Sequence, residues 1–293
     1  MKFSITGKTK LISLLGSPVS HSRSPSMQNG VFEALGLDYV YVAFDVGLDN
    51  VEAAIDGLRA MNFRGSNVTM PLKKVVCQYL DKLTPAAEMA GAVNVIINDD
   101  GVLTGHITDG EGYMMSLLDA GVEYIGKKMI IVGSGGASTA VAIQAAMDGV
   151  RSISIFNHKD AFYSNGERTV EGLRQQIGCE AHMFDLADMN LLRKEMMRSD
   201  IFINATPIGM EETLHESVIP DASYFHKNLI VTDLIYVPVE TKLLKIAKAA
   251  GNKTVNGLGM QLFQGVSAFK MWTGHDMPID VAREILFGKS VTK

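Results

Sequence analysis

The stretch Met129-Ile130-Ile131-Val132-Gly133-Ser134-Gly135-Gly136-Ala137-Ser138-Thr139-Ala140 constrains this chain more than any other. Four consecutive apolar residues read as a parallel strand buried on both faces. The glycine cluster then lets the backbone turn sharply, and the small residues after it suit the first turn of a helix. Such a turn leaves bare amides at a helix N-terminus, where a diphosphate can approach closely. A glycine fingerprint alone is a weak signal, so its surroundings have to agree. A helix over 137–147 and a second strand over 152–156 follow, and that strand ends in Asn157-His158-Lys159-Asp160. Asp160 lies 22 residues after Ser138, close to the roughly 20 expected of the acid that accepts hydrogen bonds from an adenosine ribose. The plainer role for Asp160 is to cap the next segment. On the dinucleotide reading, Gly133, Ser134, Gly135, Gly136 and Ala137 line the diphosphate, and Asn157, His158, Lys159 and Asp160 the ribose.

The residues before this turn repeat a strand and helix rhythm. Strands are expected over 10–16, 39–44 and 63–68, with helices over 24–35, 50–61, about 71–80 and 84–91. A hairpin over 92–98 and 102–106 turns at Asp99-Asp100-Gly101. The rhythm implies a mostly parallel sheet with helices on its faces. Ser24 and Pro25 read as N-cap and first helical residue. The hydroxyls of Ser20, Ser22 and Ser24 can either cap or bind a carboxylate. Lys73 falls in the first turn of the helix expected to begin at Pro71, where a cation opposes the helix dipole unless an anion or a function offsets it. Asp109 opens a helix over 109–120 and is either its cap or a favourably ionised carboxylate.

After the glycine turn come strands over 180–184, 200–204 and 229–234, with helices over 187–198 and 239–250. The turn Ala205-Thr206-Pro207-Ile208-Gly209-Met210 stands at a strand's carboxyl end, where doubly wound sheets bind ligands. A last helix over 257–272, opened by Gly257, is expected to return to the first domain. The fold class is α/β with two domains: an N-terminal substrate domain (1–111 plus 258–293) and a Rossmann-type dinucleotide domain (112–257).

With 293 residues, 47% of them hydrophobic, the chain is long enough for two buried cores. A net charge of −5 without a basic run argues against nucleic acid. No apolar run reaches the roughly 18 residues that a membrane span needs, and no secretion signal opens the chain, so a cytoplasmic protein is expected. Cys77 and Cys179 lack metal-type spacing, and no metal is expected.

Eight separated blocks now resemble the shikimate/quinate dehydrogenase family. They are Ser22-Arg23-Ser24-Pro25 with Asn29; Gly65 and 67–73; 90–94; Thr108-Asp109-Gly110; 133–137; 204–210; Asp233 with Tyr236 and Pro238; and Gly259-Met260 through Gln264. The resemblance implies that Ser22 and Ser24 hold a substrate carboxylate, that Thr69, Asn94, Tyr236 and Gln264 hold ring hydroxyls, and that Lys73 and Asp109 form the catalytic pair. It also implies that Thr206 and Gly257 touch the cofactor. The implied reaction is reversible oxidation of shikimate to 3-dehydroshikimate, with quinate as a second substrate. An amino-substituted relative of shikimate and a non-catalytic ligand-binding regulator are the competing readings. His158 stands where NADP-preferring members place Arg, so NAD is the expected cofactor and NADP the alternative. A homodimer is implied by the resemblance alone. Three positions depart from the family pattern: Ile107, Asn256 and Gln261.

Overall fold

The computed structural model describes residues 5–288. They form two compact units, one spanning 5–108 and 264–288, the other 109–263.

The first unit opens with β1 (Lys10–Gly16), α1 (Ser24–Leu35), β2 (Tyr39–Asp45), α2 (Val51–Ala60) and β3 (Gly65–Val68). The short strand β4 (Lys82–Leu83), α3 (Pro85–Ala90), β5 (Val95–Asp99) and β6 (Val102–His106) complete its six-stranded sheet, ordered β2-β1-β3-β5-β6-β4. β1 pairs in parallel with β2 and β3, while β5 runs antiparallel to both β3 and β6. The expected hairpin therefore forms within an otherwise parallel sheet. Leu15, Val51, Ile55, Leu58, Phe63, Val68, Leu72, Val76, Ile96 and Leu103 pack into one core. Ile107, a family departure, packs against that core. An apolar side chain suits its place.

The second unit runs α4 (Asp109–Asp119), β7 (Lys128–Val132), α5 (Gly136–Met147), β8 (Ser152–Asn157), α6 (Tyr163–Gly172), β9 (Glu180–Asp185), α7 (Met189–Met196), β10 (Ile201–Asn204), β11 (Ile230–Asp233), α8 (Lys242–Ala249) and β12 (Thr254–Val255). Its sheet is ordered β12-β11-β10-β7-β8-β9, and every pair is parallel. Counted from β7, this is the doubly wound order 3-2-1-4-5-6. β7 reads Ile130 to Val132 with no exposure at all, as a strand covered on both faces requires. The chain closes with α9 (Leu258–Thr273) and α10 (Ile279–Phe287). Trp272 is buried in the first unit, and its indole N–H donates to the Ile96 carbonyl at 3.0 Å.

Several local expectations need correction. No α-helix begins at Pro71: turns over 70–74 lead into a 3-10 helix, Val75–Tyr79. The main chain here is committed to β1, since the Thr69 amide donates to Leu15 and the Ser17 amide to Met70. The dipole argument for Lys73 therefore loses its premise. Arg23, not Ser24, is the N-cap of α1, and Pro25 sits second in the helix. Val239 lies before α8 and is 50% exposed. The helix α6, its π-type continuation at Leu173–Ile177, α10 and β4 carry no expectation from the pattern above.

Candidate functional site

The switch point of the doubly wound sheet lies between β7 and β10, where the strand order reverses. Gly133 leaves β7 with φ of +107°, and a Cβ there would meet the Ala205 carbonyl oxygen at 2.7 Å. Only glycine fits both demands, so the two strand-end turns can run side by side. Gly135 and Gly136, in contrast, face open space where a Cβ would be. Gly135 is the N-cap of α5, with no side chain capping the helix amides. Bare amides and an empty volume at a 12-residue helix N-terminus fit a diphosphate. Ser134 braces the loop instead of opening it. Its hydroxyl donates to the Phe162 carbonyl at 2.8 Å, while Asn165 Nδ2 donates to the Ser134 carbonyl. The glycine loop is thus tied to the start of α6. Ala137 is exposed beside it.

At the end of β8, buried Asn157 donates through Nδ2 to the His158 carbonyl at 2.7 Å and to Asp160 Oδ1 at 2.9 Å. Asp160 Oδ1 also accepts from the Phe162 amide at 2.8 Å. Asp160 therefore closes a turn ahead of α6 and does not cap the helix, whose N-cap is Phe162 with no side-chain cap; the turn fixes the carboxylate in an exposed loop. Lys159 Nζ lies 3.8 Å from Asp185 at the end of β9. His158 is exposed.

Thr206 follows β10 and is held from beneath. Its amide and hydroxyl both donate to Asn204 Oδ1, at 3.1 and 2.7 Å. Tyr236 is 45% exposed. Gly257 is buried, with its Cα backed against the Leu234 carbonyl, and Asn256 caps the start of α9 by accepting from the Leu258 amide. Asp109, 9% exposed, is the first residue of α4. The next residue, Gly110, has no Cβ and lets α4 close against the backbone of α5 at Ala140.

In the first unit, Asn94 organises a polar cluster. Its Nδ2 donates to Thr108 Oγ1 at 3.0 Å and to Gln264 Oε1 at 3.2 Å, and its Oδ1 accepts from the Thr108 amide at 2.8 Å. Thr108 donates in turn to the Gln264 carbonyl. Asn67 Nδ2 donates to the Asn94 carbonyl, and Asn67 Oδ1 accepts from the Tyr41 hydroxyl at 2.7 Å. Tyr41 is fully buried, which pushes its phenol well above the ordinary value, and it shares a hydrogen bond with Ser24. Ser22 Oγ accepts from the Ser24 amide at 3.3 Å. Lys73 is half-buried and its carbonyl accepts from the Val93 amide, one residue before Asn94. Thr69 is half-buried at the end of β3. Tyr41 and Asn67 carry no role in the sequence reading. The signal for Tyr41 was its inward register on β2, because a buried phenol needs a hydrogen-bond partner. Among the described residues no group of three or more His, Cys, Asp and Glu could hold a metal, and no helix is long and apolar enough to cross a membrane.

A doubly wound unit with an open glycine turn at its switch point, joined to a second α/β unit rich in buried polar side chains, defines the class of two-unit dinucleotide-dependent oxidoreductases. Residues 14–96 match the profile described as the shikimate dehydrogenase substrate binding domain, and residues 257–287 the shikimate 5'-dehydrogenase C-terminal domain. The chain is 55% identical over 283 residues to "Shikimate dehydrogenase (NADP(+))" of Listeria monocytogenes, covering 97% of each chain. It is 41% identical over 282 residues to "Quinate/shikimate dehydrogenase" of Escherichia coli, covering 96% of this chain and 98% of that one. A solved structure of Listeria monocytogenes shikimate 5-dehydrogenase in complex with shikimate and NAD superposes with a TM-score of 0.95 at 55% identity, covering 97% and 98%. The chain belongs to the shikimate dehydrogenase family.

Proposed function

We propose that this protein catalyses the reversible, NAD(P)-dependent interconversion of shikimate and 3-dehydroshikimate, accepts quinate as a second substrate, and prefers NAD. The reading is carried by 55% identity along 97% of both chains to a Listeria enzyme whose solved relative holds shikimate and NAD. The amides of Gly135 and Gly136 would hold the diphosphate and Asp160 the adenosine ribose, with Thr206 and Gly257 toward the nicotinamide. The bound nicotinamide supplies or accepts the hydride. Ser22 and Ser24 take the ring's carboxylate, and Thr69, Asn94, Tyr236 and Gln264 its hydroxyls. In the reducing direction the Lys73 ammonium stabilises the alkoxide that develops on the carbonyl oxygen and delivers the proton. Asp109 orients Lys73 and balances its charge.

The preference for NAD is supported by three residues. His158 lacks the planar fork with which an arginine clamps a 2'-phosphate. Lys159 is paired toward Asp185. Asp160 carries a negative charge where that phosphate would sit. The test is the nicotinamide absorbance with shikimate and with quinate, each with NAD and with NADP. Turnover of shikimate is expected with both dinucleotides, fastest with NAD; no change with any of the four pairs overturns the reading. A homodimer, tested by analytical ultracentrifugation, completes the proposal.

A further inference from the structure

The turns that carry Thr206 and Tyr236 leave the carboxyl ends of neighbouring strands, β10 and β11, and one buried carboxylate touches both. Asp233, the last residue of β11, is 1% exposed and stands directly across from Asn204, the last residue of β10, which has no exposure. Asp233 Oδ1 accepts from Asn204 Nδ2 at 3.1 Å and from the Ile235 amide at 3.0 Å, while Oδ2 accepts from the Thr241 hydroxyl at 2.7 Å. Asn204 passes the constraint on. With its Nδ2 donating to Asp233 and to the Ile208 carbonyl, its Oδ1 is turned to receive the amide and hydroxyl of Thr206.

We propose that Asp233 is a positioning residue that anchors both ligand-facing turns at once, the Thr206 turn through the side-chain amide of Asn204 and the Tyr236 segment through the backbone amide of Ile235. The proposal rests on the roles given to Thr206 and Tyr236 under the proposed function.

The chemistry explains why an acid stands here. Three donors converge on the site from three segments, and only an ionised carboxylate offers acceptors without a competing donor of its own. An asparagine would turn an N–H₂ group against one of them. A buried carboxylate is costly when neutral donors alone compensate it, and no Lys, Arg or His pairs with Asp233 among the described residues. An apolar residue would avoid that cost and would leave Asn204 free to turn over. Orientation of the Asn204 amide is what the carboxylate adds.

The experiment separates the two arms. NADH binding to the full-length protein is followed by its fluorescence, and the KM for shikimate is measured at saturating dinucleotide, for the wild type and for Asn204→Ala, Thr241→Val and Asp233→Asn. Asn204→Ala cuts one arm and is expected to raise the Kd of NADH about tenfold, the size of one lost hydrogen bond to a charged group, with the KM for shikimate held within about twofold of wild type on the same scale. Thr241→Val removes a partner of Asp233 that lies on neither arm. It is expected to lower the urea midpoint while both binding constants stay within about twofold, less than one hydrogen bond's worth. Asp233→Asn should raise both constants about tenfold by the same measure. Equal effects of Asn204→Ala and Thr241→Val on NADH binding would make the network merely structural, as would a folded Asp233→Asn protein with both constants unchanged. If Asp233→Asn does not fold, the split between the other two variants decides. A wild-type protein that binds no NADH overturns the dinucleotide reading itself, before any variant is compared.

Discussion

The two units build their polar clusters from different materials. In unit 109–263 the proposed diphosphate site is made of backbone: a glycine turn, a helix N-terminus and an absence of side chains beyond Gly135 and Gly136. In the unit formed by 5–108 and 264–288 the polar cluster is made of largely buried side chains, with Tyr41, Asn67, Asn94, Thr108 and Gln264 drawn from four strands' worth of chain and from α9. A backbone site is local and general, since every dinucleotide has a diphosphate. A side-chain site is dispersed and selective, since each hydroxyl of a ring needs its own partner. On the proposed function, selectivity would come from dispersed side chains and general affinity from the local backbone turn.

That contrast can be broken in four ways. The largest effect is expected from Lys73→Ala, which should lower kcat by about 10³-fold, within the range for loss of a general acid, while the Kd of NADH stays at the wild-type value. Undiminished turnover removes Lys73 from the mechanism. Next comes acidity. Burial raises the carboxyl of Asp233 to about 6, so the folded state holds its proton more tightly than the unfolded chain does. The stability this group contributes is full below about pH 4, near its ordinary carboxylate value, and is lost as pH rises through about 6. Urea unfolding of wild type against Asp233→Asn should therefore show the wild type losing about 3 kcal/mol relative to the variant between those limits; a difference independent of pH would refute it. Third, Gly133→Ala forces a Cβ into a positive-φ turn against Ala205 and should cost about 2 kcal/mol in unfolding free energy. At Gly135 an added Cβ meets no atom within 4 Å, so Gly135→Val should spare the fold while weakening NADH binding. If both variants lose stability equally, the turn is structural and nothing more. The smallest effect is expected from Asp160→Ala, which should shift the NAD to NADP preference by about fivefold, roughly 1 kcal/mol, read as the ratio of kcat/KM values. An unchanged ratio would remove Asp160 from cofactor choice.

The same contrast governs how much was legible in the sequence. The β7 turn could be read because its determinants are neighbours: apolar run, glycines and small residues occupy 12 consecutive positions, and the sheet around it follows the doubly wound order. Asn204 and Asp233 stood in recognisable blocks, yet their pairing depends on the register of β10 against β11, which only the folded sheet reveals. Tyr41 looked like any strand residue until its phenol met Asn67. The helix expected at Pro71 failed for a related reason. Local signals favoured it, and hydrogen bonds to β1, a segment more than 50 residues earlier, overrode them. Patterns of period and composition register what neighbours do; they are blind to partners that arrive from far along the chain.

One such partner arrives last. The core of the first unit is finished by Trp272, whose indole lies where a Cβ on Gly65 would otherwise stand and whose N–H is bonded to Ile96. Translation delivers β3 and β5 early and the tryptophan only 176 residues after Ile96. The unit whose strands are made first is therefore the one that must wait: on the ribosome, 109–263 has all of its own strands in hand before Trp272 emerges to plug the earlier sheet.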